Sequence, residues 1–327
     1  MAKYILKRLG LAILILFGVS LILYILVRCL PFDFIQNKIN EMSGSGVTIT
    51  DETKEAMYKM YGLTDSSFAG ILQGYFSWLG ALFRFDLGTS FKYGVKVLDD
   101  IVDHMGVSFI VAFIAIIFEY LIAIPLGVTA ATHQYSIRDY VVTILVILGI
   151  SLPSFFFAQI LKDLFANKLG WFPPALYEDV TSGLPTFIDR AWHLVLPITV
   201  SVILGIGGTM RYVRTNMLEV LNSDYIRTAR AKGLKESKVI YKHAFRNTMI
   251  PIVTMMAGIL PSLFSGAMIL EQVFNLPGIG NRALTAMLAA DIPYIMGYNM
   301  FLAFLSVIGV LLSDIMYVVV DPRIKLS

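Results

Sequence analysis

Six blocks of apolar residues dominate the hydropathy pattern of this chain. They occupy 9–30, 106–131, 139–161, 194–211, 249–274 and 299–320, and a helix that crosses a bilayer needs about 20 predominantly apolar residues. The pattern predicts an all-α, polytopic membrane protein with six transmembrane helices and both termini on one side. The first block follows Lys3, Lys7 and Arg8 much as a signal peptide would begin. Its apolar run is too long for one, and it ends in Arg28-Cys29-Leu30-Pro31 with no small-residue cleavage site, so it reads as an uncleaved span.

Composition agrees with the pattern. Of 327 residues, 57% are apolar and 15% charged, against about 45–50% and about 25% in soluble proteins. This excludes a soluble enzyme and a disordered chain. A net charge of +3 gives no footprint for nucleic-acid binding. Cys29 is the only cysteine, which rules out an intramolecular disulfide and a cysteine-based metal cluster.

Orientation follows from the basic residues, which are held on the cytoplasmic side. With the N-terminus inside, the inner segments carry fifteen, among them Lys3, Lys7, Arg8, Arg138, Arg211, Arg214, Arg323 and Lys325, and the longer outer segments carry ten. The predicted organisation is a cytoplasmic N-terminus at 1–8, a first span at 9–30 and an extracytoplasmic segment at 31–105. A core domain at 106–320 follows, with a cytoplasmic loop at 214–248, and then a cytoplasmic tail at 321–327. The 31–105 segment, with Tyr75, Phe76, Trp78, Leu79, Leu82, Phe83 and Phe85, is too apolar for a disordered linker. It reads as a small outer subdomain or a surface-lying segment. Trp171, Phe172 and Trp192 stand where an outer aromatic belt would place them.

The inner loop is the most structured sequence outside the spans. One of Asn222, Ser223 and Asp224 caps a short helix that Gly233 closes. Tyr225, Ile226 and Ala229 fall on one face, and Arg227, Arg230 and Lys232 on the others. A second run with Val239, Ile240, Ala244 and Phe245 leads into the fifth span, so the loop forms a knob bent at a glycine. A basic amphipathic helix can simply lie on anionic lipid. The small residues Thr228, Ala229, Ala231 and Gly233 instead permit close approach by another protein, and the residues alone weigh the two readings evenly.

The stretch Tyr225-Ile226-Arg227-Thr228-Ala229-Arg230-Ala231-Lys232-Gly233-Leu234, followed by Lys242-His243-Ala244, Arg246-Asn247 and Ile250-Pro251, resembles the coupling loop of ABC importer permeases of the peptide and nickel branch. The resemblance extends in order through Leu87-Gly88-Thr89-Ser90, Ile124-Pro125-Leu126-Gly127-Val128, Leu148-Gly149-Ile150-Ser151-Leu152-Pro153-Ser154-Phe155 and Leu169-Gly170-Trp171-Phe172-Pro173. It ends with Glu271-Gln272-Val273-Phe274, Pro277-Gly278-Ile279-Gly280 and Asp321-Pro322-Arg323. Each string is weak, but their order over nearly the whole chain is specific, and it is most similar to the first permease of oligopeptide and dipeptide systems. The wider superfamily has Glu-Ala-Ala where this chain has Arg227-Thr228-Ala229, a variant the peptide branch shares.

The resemblance implies a type I importer permease fold. It further implies a homologous second permease, two cytoplasmic ABC ATPase subunits, an extracytoplasmic substrate-binding protein, membrane lipid around the spans, and a peptide substrate, with nickel or a nickel chelate as the alternative. Asp224, Tyr225, Ile226, Arg227, Thr228, Ala229, Arg230, Ala231, Lys232 and Gly233 are the implied ATPase-coupling residues. The chain has no Gly-x-x-x-x-Gly-Lys-Ser/Thr loop, so it is not expected to be an enzyme or to carry a cofactor. ATP and Mg would be bound by the partner ATPases.

Glycine and proline inside the spans are read mostly as packing, with hinging at 205–208 and at Pro261. Glu119, Asp314 and Glu271 lie in or near spans, where an ionisable group must face protein or water. Each either lines a translocation pathway or makes a structural bond across a helix interface, the latter favoured for Asp314 and Glu271. A secondary transporter would show paired repeats, and none is found. A membrane enzyme would need a metal or nucleophile set, but His104, His133, His193 and His243 are scattered.

Overall fold

The computed structural model describes residues 2–29, 35–36, 39, 51–60, 67–151, 153–175 and 186–320. The predicted tail at 321–327 with its Asp321-Pro322-Arg323 motif lies outside these, as do Leu152 and much of 31–66. Helices make up most of the described residues, and the one strand-like pairing among them is an antiparallel bridge between Thr89 and Lys96.

In chain order the helices are α1 (Ala2–Cys29), α2 (Asp51–Met60), α3 (Phe68–Leu82), α4 (Val97–Thr132), α5 (Ile137–Ser151), α6 (Ser154–Leu161), α7 (Thr186–Leu221) and α8 (Asp224–Ala231). They continue with α9 (Phe245–Ala257), α10 (Leu260–Ser265), α11 (Met268–Val273), α12 (Ile279–Leu288) and α13 (Ile292–Val320). By length and composition, four helices can cross a membrane: 10–29 of α1, all of α4, 187–221 of α7 and 292–316 of α13. A fifth span forms if the stretch through α9 and the α10–α11 stretch, bent by 44° at their break, count as one.

Two expected spans are therefore interrupted. The block at 139–161 divides into α5 and α6 around Pro153, which stands at the N-cap of α6; proline has no N–H to donate and disfavours helix in the residue before it. The block at 249–274 breaks at Gly258 and again at Gly266, whose φ of +69° leaves the right-handed helical region. Pro261 sits in the first turn of α10, where a missing N–H costs nothing. The break thus falls at the glycines beside the expected proline hinge.

The centre of the fold is the pair α4 and α7, with α5 packed on α7, α9 and α10 against α13, and α1 on the outside against α13 and α3. Exposed Leu11, Ile13, Leu14, Ile15 and Ile22 on α1 suit contact with lipid tails. The α4–α7 contact is close because glycines stand at the crossing, the device that membrane helices use for backbone approach. A Cβ at Gly127 would lie 2.8 Å from Val213 Cβ and 2.9 Å from the Met210 carbonyl, and one at Gly205 would collide with the Glu119 carboxylate. The helix runs unbroken through 205–208, so these glycines do not interrupt it. Gly205 is instead a seat for a side chain of the neighbouring helix. Gly205→Ala is expected to lower the apparent Tm of the detergent-purified protein, and Gly205→Val to lower its membrane level sharply. Adding Glu119→Ala should recover part of the Gly205→Ala loss, since contacting residues couple non-additively; thermal denaturation of the single and double variants reads this.

Candidate functional site

Past Leu221 the chain turns at Asn222 and Ser223 and enters α8. Ser223 holds the N-cap position with extended backbone, but its hydroxyl bonds back to the Val220 carbonyl at 2.6 Å, not to an α8 amide. Asp224 in the first turn complements the positive end of the helix. At the other end Gly233 adopts φ +75° and donates its N–H to the Arg230 carbonyl at 2.9 Å, the left-handed stop expected from the sequence. Arg230 then reaches across the turn to Glu236 at 2.7 Å, and the bonded carboxylate raises the pKa of the guanidinium above its ordinary value. A short turn at Glu236–Lys238 and a π-helical stretch at Val239–Ala244 return the chain to α9.

These pieces have one core. Ile226, Ala229, Val239 and Ala244 are buried together with Val213 and Met217 of α7, Tyr120, Val128 and Ala131 of α4, and Ile252 of α9. The knob is thus welded to the ends of three long helices, so a force applied to it reaches them through packed side chains.

Two placements differ from expectation. Tyr225 is 47% exposed, its hydroxyl accepting from Asn247 Nδ2 at 3.3 Å, and so leaves the predicted apolar face. Ala229 is 7% exposed and belongs to the knob's own core, so it offers nothing to an outside partner. The surface left open is Asp224, Tyr225, Arg227, Thr228, Arg230, Ala231, Lys232 and Gly233, and Tyr241 on the π-helical stretch is 66% exposed. Tyr241 was not among the expected residues. In an α-helix positions five apart diverge, whereas in the π-helical stretch Val239 and Ala244 both turn inward and Tyr241 is left outside.

A second feature escaped the sequence. Arg214, counted there only as a loop cation, makes a two-pronged ion pair with Asp139 through Nε and Nη2, both at 2.8 Å, and Asp139 also accepts from the Tyr135 N–H at 3.0 Å. Such fork-shaped pairs fix orientation as well as adding energy. This one ties the α4–α5 turn to α7, two turns before the knob.

The three acids proposed for a pathway are all bonded to protein. Glu271, 2% exposed, accepts from Ser108 Oγ at 2.6 Å, from its own helix's Ala267 N–H at 3.2 Å, and from the Asn281 N–H of α12 at 2.8 Å. Ser108 in turn accepts from the Ile279 N–H at 3.0 Å. Glu271 therefore caps two helices and joins both to α4; Gly266, Gly278 and Gly280 leave the room its carboxylate fills. Glu119 accepts from Thr209 Oγ1 across the α4–α7 contact and is half-buried. Asp314 accepts from Arg8 at 3.2 Å, linking α13 to α1, while its Oδ2 is buried with no partner among the described residues.

On the far side, the Leu87-Gly88-Thr89-Ser90 string docks onto the turn before α13. Ser90 Oγ and the Lys92 N–H bond Asp291 Oδ2 at 2.6 and 2.9 Å, and Leu87 packs with Val97, Tyr294 and Tyr298. Next to it Asp100, 3% exposed, pairs with Arg282 at 2.6 Å and accepts from Tyr294 at 2.9 Å. The Arg282 guanidinium stacks on the Tyr93 ring at 3.8 Å.

Residues 123–326 match the family model of the binding-protein-dependent transport system inner membrane component. The chain is 35% identical over 326 residues to the oligopeptide transport system permease protein AppB of Bacillus subtilis, covering 99% of this chain and 100% of that one. It is 36% identical over 329 residues to a putative peptide transport system permease protein of Brucella abortus, covering 99% of each. With the dipeptide transport system permease protein DppB of Bacillus subtilis it shares 31% over 327 residues, covering 100% of this chain and 99% of that one.

Proposed function

The chain belongs to the family of binding-protein-dependent transport system inner membrane components, and on that premise we propose that it is the permease subunit of an ATP-driven peptide importer. The observation that carries this reading is end-to-end similarity to relatives named for oligopeptide and dipeptide transport; those names also favour a peptide over nickel as the cargo.

In this reading the chain supplies half of a translocation pathway and a homologous second permease supplies the other half. Two cytoplasmic ATPases bind ATP and Mg, and an extracytoplasmic binding protein delivers the substrate. The segments at 139–161 and 249–274 act as interrupted spans, which completes six and leaves both termini in the cytoplasm. The open side of α8 seats in a groove of one ATPase. When the ATPases close, the knob moves, and its shared core with α4, α7 and α9 passes the displacement to the spans. A two-state element biased by ATP at a distance then gives alternating access. The Asp139–Arg214 pair keeps α5 moving with α7. Glu119 is the acid that remains a pathway candidate, because it alone of the three is both half-open and central to a span; Asp314 and Glu271 act as fasteners.

The test is to tag the chain in its host, extract it in mild detergent, identify what co-purifies, and measure uptake of a radiolabelled peptide in a deletion strain. Recovery of a second permease with ATPases, and uptake restored by the gene, are the expected results. A chain that emerges alone, with uptake unchanged by its deletion, would overturn the proposal.

A further inference from the structure

A groove opens at the surface between α5 and α7. Its mouth, of about 360 Å³, is lined by Thr143, Val146, Ile147, Ser151, Met210, Arg211 and Arg214. Sharing Val146 and Met210 with it, an apolar extension of about 220 Å³ continues between Leu126, Val142, Ile203, Ile206 and Gly207. Two arginines stand at one end of this space, and the side chains that line the extension are apolar.

The two arginines differ. Arg214 is neutralised by both oxygens of Asp139. Arg211 is exposed, and its guanidinium has no hydrogen-bond or ion-pair partner among the described residues. Its depth is set by the helix that carries it. Residues 194–210 of α7 contain no charged side chain, and at about 1.5 Å per residue they span roughly 26 Å, close to the hydrocarbon thickness of about 30 Å. Arg211 is the first charge beyond that stretch on the side of the knob, level with lipid headgroups. The apolar extension lies back toward the middle of the bilayer, where acyl chains are.

We propose that this groove binds an anionic phospholipid of the leaflet on the knob side, its phosphate on Arg211 and an acyl chain between Val146, Ile203 and Met210. A free anion would use only the mouth, and a zwitterionic lipid would fill the extension while its own ammonium competes with Arg211 for its phosphate. An anionic lipid satisfies both, and basic pockets between membrane helices are a known physical basis for headgroup binding. Because the site adjoins the Asp139–Arg214 pair, the lipid would stiffen the same α5–α7 contact that the pair fastens.

Native mass spectrometry of the detergent-purified protein, with the subunits that accompany it, tests this by titration with phosphatidylglycerol and with phosphatidylcholine. The wild type is expected to bind phosphatidylglycerol roughly fivefold tighter. Arg211→Gln should abolish that preference, Arg211→Lys should keep it, and Ile147→Trp, which fills the mouth from an exposed position, should weaken both lipids. Lys238→Gln removes an equal charge from the knob and should change nothing. An undiminished preference in Arg211→Gln would overturn the proposal. So would a crosslink from a photoreactive benzoylphenylalanine placed at position 147 to a co-purifying permease, which would show a protein surface in the groove.

Discussion

Replacing Glu271 by alanine is expected to leave little folded protein in the membrane, and to lower the apparent Tm of what remains by about 5 °C or more. The carboxylate is 2% exposed and holds Ser108, Ala267 and Asn281 at once. Its removal leaves a hydroxyl and two backbone N–H groups without their acceptor and opens a void between three glycines. Hydrogen bonds to a charged group contribute about 1.5–3 kcal/mol each in soluble proteins, and bonds between membrane helices about 0.6 kcal/mol on average. A loss on the order of 3 kcal/mol for the set is therefore expected. Glu271→Gln should fall between wild type and alanine, because one of its two acceptor oxygens becomes a donor facing the backbone amides. Thermal unfolding and membrane abundance decide the matter together with uptake. Variants of normal stability that alter only which peptides are taken up would return Glu271 to the translocation pathway.

The long helices α4, α7 and α13 were legible because an apolar run longer than a bilayer is a signal of length, which does not require knowing what the helix faces. The faces were not legible for the same physical reason. Inside a membrane both lipid and neighbouring helices select apolar residues, so periodicity carries little information about which side is which. Gly205 shows this: as part of a glycine-rich string it read as a hinge, and only the position of Glu119 on another helix reveals a packing seat. Asp100, Arg282 and Asp291 went unnoticed because their partners lie 182 or more residues away along the chain. The knob was legible in outline, since a serine at the N-cap position, a closing glycine and clustered basic residues are local signals. Which side of α8 it buries depended on the register of the π-helical stretch, and no local preference announces that.

Placing Ala229 inside the knob separates two kinds of coupling defect that the sequence merged. Ala229→Glu puts a carboxylate into the core formed with Val213, Met217 and Val239, where an unpaired charge costs several kcal/mol, on the order of 3 or more. It is expected to abolish uptake by loosening the knob, seen as new tryptic cleavage at Lys232 or Lys235. Tyr225→Ala, Arg227→Glu and Ala231→Trp alter side chains that the knob's own core does not need. They should leave abundance, Tm and tryptic pattern at wild-type values while lowering peptide uptake roughly tenfold or more, the scale of losing a central contact in a protein interface. Gly233→Asp belongs to neither extreme. Its added Cβ meets nothing within 4 Å, so the cost comes from the φ of +75°, a conformation aspartate tolerates better than most residues. Uptake and co-purification of the ATPases, measured on all five variants, locate the contact. If the three exposed substitutions transport normally with the ATPases still bound, α8 is a structural brace, and force must reach the spans by another route.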